Sequence, residues 1–342
     1  SGHKMVSYLK KILSFIPIFL LIYGTNTYGL HAKKLYENPF GSIDSEQWVQ
    51  ESPIQFFLGF IVNLFTNNTT RTHWIVVILG FLYLTISVIN FDKRYFSNNQ
   101  IFKVLYFTPF FLVLFTWMGK PDTFLIGSLF FLVSFSNSAV LSFVFILFAV
   151  SSHPQIAFIY FLLIKYLNIF NLKINHYFSF ILSYIIYSAY LNQLSELEGR
   201  YSVISQELER VFQTIFTNTL AGFISLFMWL WIVIFGSNAI KDRKFLTSFI
   251  IIFSISFFTL DHTRIFMQLS IPLIIYLVKN DEFLNFFTKY FDKKLMYLLG
   301  LFQIQKRGDG KIVDGVNLYE SEFFKSMFSK LIELIEKVLN IV

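Results

Sequence analysis

The sequence predicts an all-α polytopic membrane protein with about ten transmembrane helices. Of its 342 residues, 55% are hydrophobic and only 14% are charged, whereas about a quarter of the residues in a soluble domain are charged. Apolar runs close to the length of a bilayer crossing recur along the chain. They are continuous, unlike the alternating segments of about ten residues that form outer-membrane barrels.

The predicted spans follow from a crossing length of about 20 apolar residues. They cover residues 12–30, 74–91, 101–118, 122–136, 139–151, 155–170, 177–192, 218–236, 245–260 and 265–279. Segment 54–66 is too short to cross comfortably and is predicted to be an interfacial or re-entrant helix. Residues 1–4 precede Met5 and resemble a tag remnant, and the first apolar run is interpreted as a retained helix.

The placement of lysine and arginine predicts the orientation of these spans. The compact basic turns 92–94 and 241–244 fall on one side together with Lys10, Lys11 and Lys173. We therefore expect that side, and both termini, to be cytoplasmic. The opposite side carries two long outer loops, 31–73 and 193–217, in which basic and acidic residues are mixed.

The chain is predicted to consist of a transmembrane domain, residues 5–280, and a tail, residues 281–342. The tail has apolar stripes at helical spacing, which predict helices docked on the cytoplasmic membrane surface. Its glycine-containing stretch, residues 305–317, is interpreted as a flexible turn region and not as a phosphate-binding loop.

Composition excludes several kinds of site. The chain has no cysteine, which excludes disulfides, thiolate metal sites and cysteine nucleophiles. The net charge of +7 is attributed to lysines and arginines facing anionic lipid, so no nucleic-acid partner is expected. No metal or dinucleotide motif is present, and neither a metal nor a cofactor is expected.

Polar clusters gather at the predicted outer ends of the spans. They are the first outer loop, the turn 119–122, the turn 152–155, the loop 193–217 and the tetrapeptide 261–264. Each also has a purely structural explanation. Turns such as Gly119-Lys120-Pro121-Asp122 carry ordinary helix-start signals, Lys120 could snorkel, and loop 193–217 resembles a solvated amphipathic helix. Ionisable groups next to membrane spans nevertheless favour a functional site.

The arrangement resembles the GT-C class of integral-membrane glycosyltransferases and the related O-antigen polymerases. The resemblance covers about residues 5–280 and is architectural. It consists of a first helix, a long outer loop with acids, short apolar spans, and the turns 119–122 and 152–155. It implies sugar transfer from a polyprenyl-phosphate or polyprenyl-pyrophosphate donor to a glycan acceptor. The reaction would take place on the periplasmic face of a bacterial inner membrane, during lipopolysaccharide, O-antigen or capsule assembly.

The resemblance gives three sets of candidate residues their roles. Candidate catalytic residues, which would activate the acceptor hydroxyl, are Asp44, Glu46, Glu51, Asp261 and His262. Candidate phosphate-binding cations are Lys120, Arg200, Arg210 and Arg264. Further candidate substrate contacts are Asp122, His153, Gln155, Arg71 and His73. No metal is required, because fixed cations can stabilise the leaving phosphate.

Two other functions remain open at this level. The chain could be a transporter or flippase of a lipid-linked glycan, although no inverted repeat is visible in the sequence. It could also be a non-catalytic partner in a polysaccharide-assembly complex, interacting through its amphipathic tail.

Overall fold

The fold is a helical bundle with one small two-stranded sheet, as seen in a computed structural model. The structure describes residues 30–43, 47–96, 100–194, 217, 219–257, 259, 262–291, 304–306 and 312–314. Three short 3-10 helices are Leu30–Tyr36, Gln47–Glu51 and Ala239–Lys241. Residues 12–29 of the first predicted span, 12–30, and most of loop 193–217 lie outside the described residues.

Thirteen α-helices occur within the described ranges. They are α1 (Ile54–Thr66), α2 (Thr69–Tyr95), α3 (Gln100–Tyr106), α4 (Phe110–Thr116), α5 (Asp122–Ser134), α6 (Ala139–Ser152), α7 (Pro154–Leu167), α8 (Ile174–Leu191), α9 (Thr219–Phe227), α10 (Leu230–Gly236), α11 (Arg243–Phe257), α12 (His262–Val278) and α13 (Asp281–Tyr290). Strands β1 (Ile304–Lys306) and β2 (Ile312–Asp314) pair antiparallel, with Gln305 opposite Val313.

Only part of the ten-span prediction is supported by helix length. Among the described residues, α2 alone is a single helix long and apolar enough to cross a membrane. The pair α9 and α10 passes the same test together, but its two halves are bent by 77°. Helices α1, α5, α6, α7 and α12 are apolar and shorter, with 10–17 residues each.

Two predicted spans, 101–118 and 218–236, are each broken into two helices. In the first, α3 and α4 are separated at Pro109, which has no backbone N–H and disfavours a continuous helix. In the second, α9 ends before Met228, whose φ of 49° is left-handed. The two breaks meet, because the backbone N–H of Leu230 donates to the carbonyl of Phe107 at 3.2 Å. A backbone N–H left unpaired at one break is therefore hydrogen-bonded to a backbone carbonyl at the other.

The basic turns lie together at one end of the bundle, which we call the basic end (residues 93–94, 173, 241–244 and 279). Arg94 donates to the carbonyl of Ser134, and Lys279 Nζ donates to the carbonyl of Ile169 at 2.8 Å. Lys279 also lies 4.4 Å from the ring centre of Tyr95. These contacts join α2, α5, α7 and α12 at their basic-end termini.

The opposite end, which we call the site end, is formed by residues 36–43, 47–55, 69–73, 117–124, 153–155, 187–191 and 262–264. The long first loop packs there against the end of α8. Tyr187 donates to the carbonyl of Glu51 at 3.1 Å, and Tyr190 donates to that of Gln50 at 3.1 Å. The second 3-10 helix of this loop, Gln47–Glu51, is thus anchored on the bundle.

Large apolar side chains are exposed on the outward faces of many helices. Phe65 on α1 is 86% exposed, and Ile174 and Phe178 on α8 are 79% and 73% exposed. Others are Ile61, Leu64, Ile78, Ile86, Val140, Leu162, Ile181, Ile185, Ile232, Phe235 and Ile250. The interior is also apolar, with one large cluster joining α2 to α13.

The tail differs from the surface-docked segment that the sequence predicts. Helix α13 does pack at the basic end, against α10 and α12. Strand β1, however, contacts the start of α12, where the backbone N–H of Lys306 donates to Thr263 Oγ1 at 2.9 Å. Residues 304–306 therefore lie at the site end, away from the basic turns beside which the sequence places the tail 281–342. Amphipathic spacing indicates a docked face but not which end of the bundle receives it.

Candidate functional site

A buried ion pair joins two residues that the sequence marks separately. Arg264, on the first turn of α12, donates from Nε to Asp122 Oδ2 at 2.8 Å and from Nη2 to Oδ1 at 2.7 Å. Asp122 begins α5 and is 2% exposed, and Arg264 is 6% exposed. This parallel, two-bond geometry is the strongest form of an arginine–carboxylate contact. Two of the guanidinium donors predicted to bind a phosphate are thus engaged by a carboxylate.

Three consecutive side chains fix the start of α12 to three different parts of the bundle. The Nδ1 atom of His262 lies 2.9 Å from the carbonyl of Ser256 on α11. Thr263 contacts Ser225 on α9, with 2.7 Å between the two hydroxyl oxygens, and also contacts β1. Arg264 holds Asp122 on α5. Residues 262–264 of the polar tetrapeptide therefore form a buried junction.

A narrow groove with a cavity volume of only about 10 Å³ opens beside this junction, between α2 and the end of α4. Its polar lining comes from Lys120, Asp122 and Gln55. Its apolar lining comes from Val76, Val77, Phe81, Leu114, Trp117, Met118 and Phe124. The two charged residues are thus neighbours in the turn 119–122, while most of the remaining lining is aliphatic and aromatic.

Trp117 connects the two cations of the site. The Lys120 ammonium lies 4.5 Å from the centre of its ring, and the Arg264 guanidinium carbon lies 5.4 Å from it. Both distances are within the range of a cation–π contact. Lys120 follows Gly119, whose φ of 97° belongs to the left-handed region that favours glycine. The turn therefore places its lysine over the indole, at the edge of the groove.

Tyr36, from the first outer loop, closes one side of the groove. Its hydroxyl lies 2.8 Å from Nδ1 of His73, which is 1% exposed. Burial raises the pKa of the tyrosine above its usual range. Helix α1 approaches closely here because Gly59 has no side chain: a Cβ would lie 2.1 Å from Tyr36 Cδ1.

The other predicted residues are distributed around the site end. Glu51 is buried, at 6% exposure, in the second 3-10 helix. Arg71 is exposed on the first turn of α2, and its backbone N–H is capped by Asn68. His153 and Gln155 lie at the start of α7. None of these four lines the groove. Five predicted residues lie outside the described residues: Asp44, Glu46, Arg200, Arg210 and Asp261.

Four residues near the site were not selected from the sequence. Trp117, Tyr36 and Gln55 line the groove, and each looks like an ordinary interfacial or helix-start residue in the sequence. Gln268, one turn after Arg264, is fully buried, and neither side-chain amide atom has a hydrogen-bond partner within the described residues. A polar amide within a predicted span was the one signal that could have drawn attention to it.

No protein-family model, curated protein or solved structure matches this chain. In the described part of the chain, no group of three His, Cys, Asp or Glu side chains could hold a metal ion. Physical argument from the groove and the ion pair is therefore the basis for a functional assignment.

Proposed function

We propose that the chain is a multi-pass membrane protein of a bacterial inner membrane, with its site end toward the periplasm. The support is the belt of exposed phenylalanine, isoleucine and leucine side chains on the outward helix faces. Soluble monomers rarely expose large apolar patches. The concentration of lysine and arginine in the short turns of the basic end favours a cytoplasmic location for that end.

We further propose that the protein transfers a sugar from a polyprenyl-phosphate or polyprenyl-pyrophosphate donor to a glycan acceptor. The observation that carries this proposal is the groove, where Asp122 and Lys120 lie at the edge of a largely apolar lining. A lipid-linked donor has the same two parts, an apolar chain and a charged phosphate. The chain would lie along the aliphatic and aromatic wall, with its phosphate beside Lys120.

Asp122 is the best-placed group to accept a proton from the acceptor hydroxyl. Each of its oxygens accepts one hydrogen bond from Arg264 and keeps further lone-pair capacity. As the hydroxyl oxygen attacks the anomeric carbon, its proton passes to the carboxylate and the phosphate departs with the electrons of the broken bond. Lys120 balances the charge that develops on the phosphate. In this scheme Arg264 orients the base and does not bind the phosphate directly.

The test is turnover by the purified protein in lipid nanodiscs. A polyprenyl-pyrophosphate donor with a radiolabelled sugar is incubated with a glycan acceptor, and both labelled glycan and released polyprenyl pyrophosphate are measured. Asp122→Asn and Lys120→Met are each expected to lower turnover by roughly 10²-fold or more. Lys33→Met is the matched control, because Lys33 is an exposed lysine at the same end that does not line the groove. Turnover at the wild-type rate in both groove variants would reject this mechanism.

A second candidate is a flippase for the same lipid-linked glycan, and the two broken helices favour it. Interrupted helices at membrane depth often accompany substrate sites in transporters. The α3–α4 and α9–α10 breaks meet at Phe107 and Leu230. A flippase would move a fluorescent polyprenyl-linked sugar between the leaflets of a liposome with its sugar–phosphate bond intact. Movement without bond cleavage would favour this candidate over the transferase.

A further inference from the structure

The hydroxyls of Thr263 and Ser225 form a chain of hydrogen bonds with one possible direction. Ser225 donates to the carbonyl of Gly222 at 2.6 Å, which uses its only proton. The Thr263 hydroxyl must then donate to Ser225 Oγ, 2.7 Å away, and it accepts from the backbone N–H of Lys306 at 2.9 Å. Thr263 and Ser225 are fully buried. One relay thus joins β1, α12 and α9.

The Lys306 side chain fits against a glycine of the same relay. A Cβ on Gly222 would lie 2.8 Å from Lys306 Cδ, so a larger residue at 222 would displace the lysine. Lys306 is only 5% exposed, and burial lowers the pKa of its ammonium group. The burial of this lysine and its close fit indicate that β1 packs specifically against α9. Strand β1 also contacts α4, the helix that precedes Trp117.

We propose that β1 is an integral wall of the Asp122–Arg264 site and that Thr263 is a positioning residue. Thr263 couples the seating of β1, by which we mean its packing against α9 and α12, to the orientation of Arg264. Thr263 and Arg264 are consecutive on the first turn of α12, so a rotation of that turn moves both side chains. When β1 is seated, both hydroxyl partners of Thr263 are in place and the turn is held with Arg264 facing Asp122. The effect on turnover rests on the proposed function, whereas the seating itself does not.

A disulfide tests the seating directly, because the chain has no native cysteine. An ideal Cβ on Gly222 lies 3.9 Å from the Cβ of Lys306, which is within the 3.5–4.5 Å usual for a disulfide. The double variant Gly222→Cys/Lys306→Cys also removes the Cδ that a side chain at 222 would meet, and it keeps the backbone N–H of residue 306. Oxidation of the full-length protein in nanodiscs is expected to join the two peptides in most molecules, as measured by mass spectrometry.

Lys241→Cys/Lys306→Cys is the matched control, because Lys241 is an exposed lysine at the basic end. This pair is expected to form no intramolecular disulfide. Equal cross-linking of the two pairs, or none at 222 and 306, would overturn the seating of β1. Thr263→Val should slow formation of the 222–306 disulfide several-fold, and Thr263→Ser, which keeps the hydroxyl, should restore the rate.

The coupling to Arg264 has one readout that does not need turnover. The stabilising interaction between Asp122 and Arg264, measured by double-mutant analysis of thermal unfolding, is expected to weaken when Thr263 is replaced by valine. An interaction energy that is unchanged by Thr263→Val would overturn the positioning role, whatever the protein catalyses.

The second readout is turnover. Thr263→Val should lower kcat roughly tenfold, the effect of about 1.4 kcal/mol, with little change in the donor KM. The oxidised 222–306 disulfide should restore most of this loss, and reduction should reverse the restoration. If Asp122→Asn abolishes turnover while Thr263→Val leaves it unchanged, the positioning role is wrong and the proposed function stands.

Discussion

The Asp122–Arg264 pair predicts a large energetic coupling across the bundle. We consider Asp122→Leu, Arg264→Met and the double variant. Each single change leaves one buried ionic group without its partner, since both side chains are less than a tenth exposed and exchange two hydrogen bonds. Removing one member of a buried pair typically costs about 3–5 kcal/mol, whereas replacing both by apolar groups is often close to neutral.

The structure sets the expected size of this coupling. If each single variant loses about 3–5 kcal/mol and the double variant loses at most about 2, the interaction energy is roughly 4 kcal/mol or more. At about 2–4 °C per kcal/mol, each single variant should lower the melting temperature by roughly 6–20 °C. The double variant should recover most of that loss, because it leaves no unpaired charge at the junction.

Thermal unfolding of the detergent-purified protein, followed by size-exclusion chromatography of the surviving fraction, measures these shifts. Lys33→Met serves as a control for the removal of a charge at the same end, and a shift near zero is expected because Lys33 is exposed. Single-variant losses that add within about 0.5 kcal/mol in the double variant would refute the reasoning, since independent sites behave that way.

Three further outcomes follow from the contacts of the site end and the tail. Gly59→Ala should destabilise the protein by about 1–3 kcal/mol, because the new Cβ would meet Tyr36 at 2.1 Å. In a Tyr36→Ala background the same change should cost much less. Thermal unfolding measures both effects. Tyr187→Phe should cost about 1 kcal/mol and increase proteolysis of the first loop, because it removes the bond to the Glu51 carbonyl; unchanged proteolysis would argue against anchoring. Burial lowers the pKa of Lys306 in the folded state. The buried charge therefore lowers the free energy of unfolding most at a pH below this folded-state pKa. The loss becomes smaller as the pH rises toward the pKa of the unfolded state. The melting temperature of the wild type relative to Lys306→Met should therefore rise from neutral to alkaline pH, and a constant difference would contradict it.

Hydrophobic periodicity predicts the helices well where a run is uninterrupted. Segment 54–66 is a helix with those bounds, and the spans beginning at residues 122 and 139 end within two residues of prediction. The runs 101–118 and 218–236 look equally continuous by hydropathy, but each contains a break. Pro109 was a visible signal for the first. Met228 was no such signal, because a methionine in an apolar run does not predict a left-handed backbone.

The candidate site shows a different limit. Asp122 and Arg264 were both selected as polar residues at span ends, yet they are 142 positions apart and their pairing depends on how α5 and α12 pack. The placement of β1 was missed for the same reason. A short strand near glycines reads as a turn region, and its partner Thr263 is 43 positions away. Local patterns indicate that a residue is polar and near a helix end, but not which partner it meets.

The environment of the two helix breaks favours the transferase over the flippase. Around Phe107 the neighbours are apolar: the rings of Phe287 and Phe291 lie 5.2 Å and 4.8 Å from it, centre to centre. A path for a sugar between the leaflets needs polar groups along its length. The charged side chains of the groove instead lie at the site end, and the Leu230–Phe107 hydrogen bond closes the joint between the breaks. A fixed scaffold with chemistry at one end suits bond transfer at one face better than alternating access, so the bond-cleavage assay is the first experiment to perform.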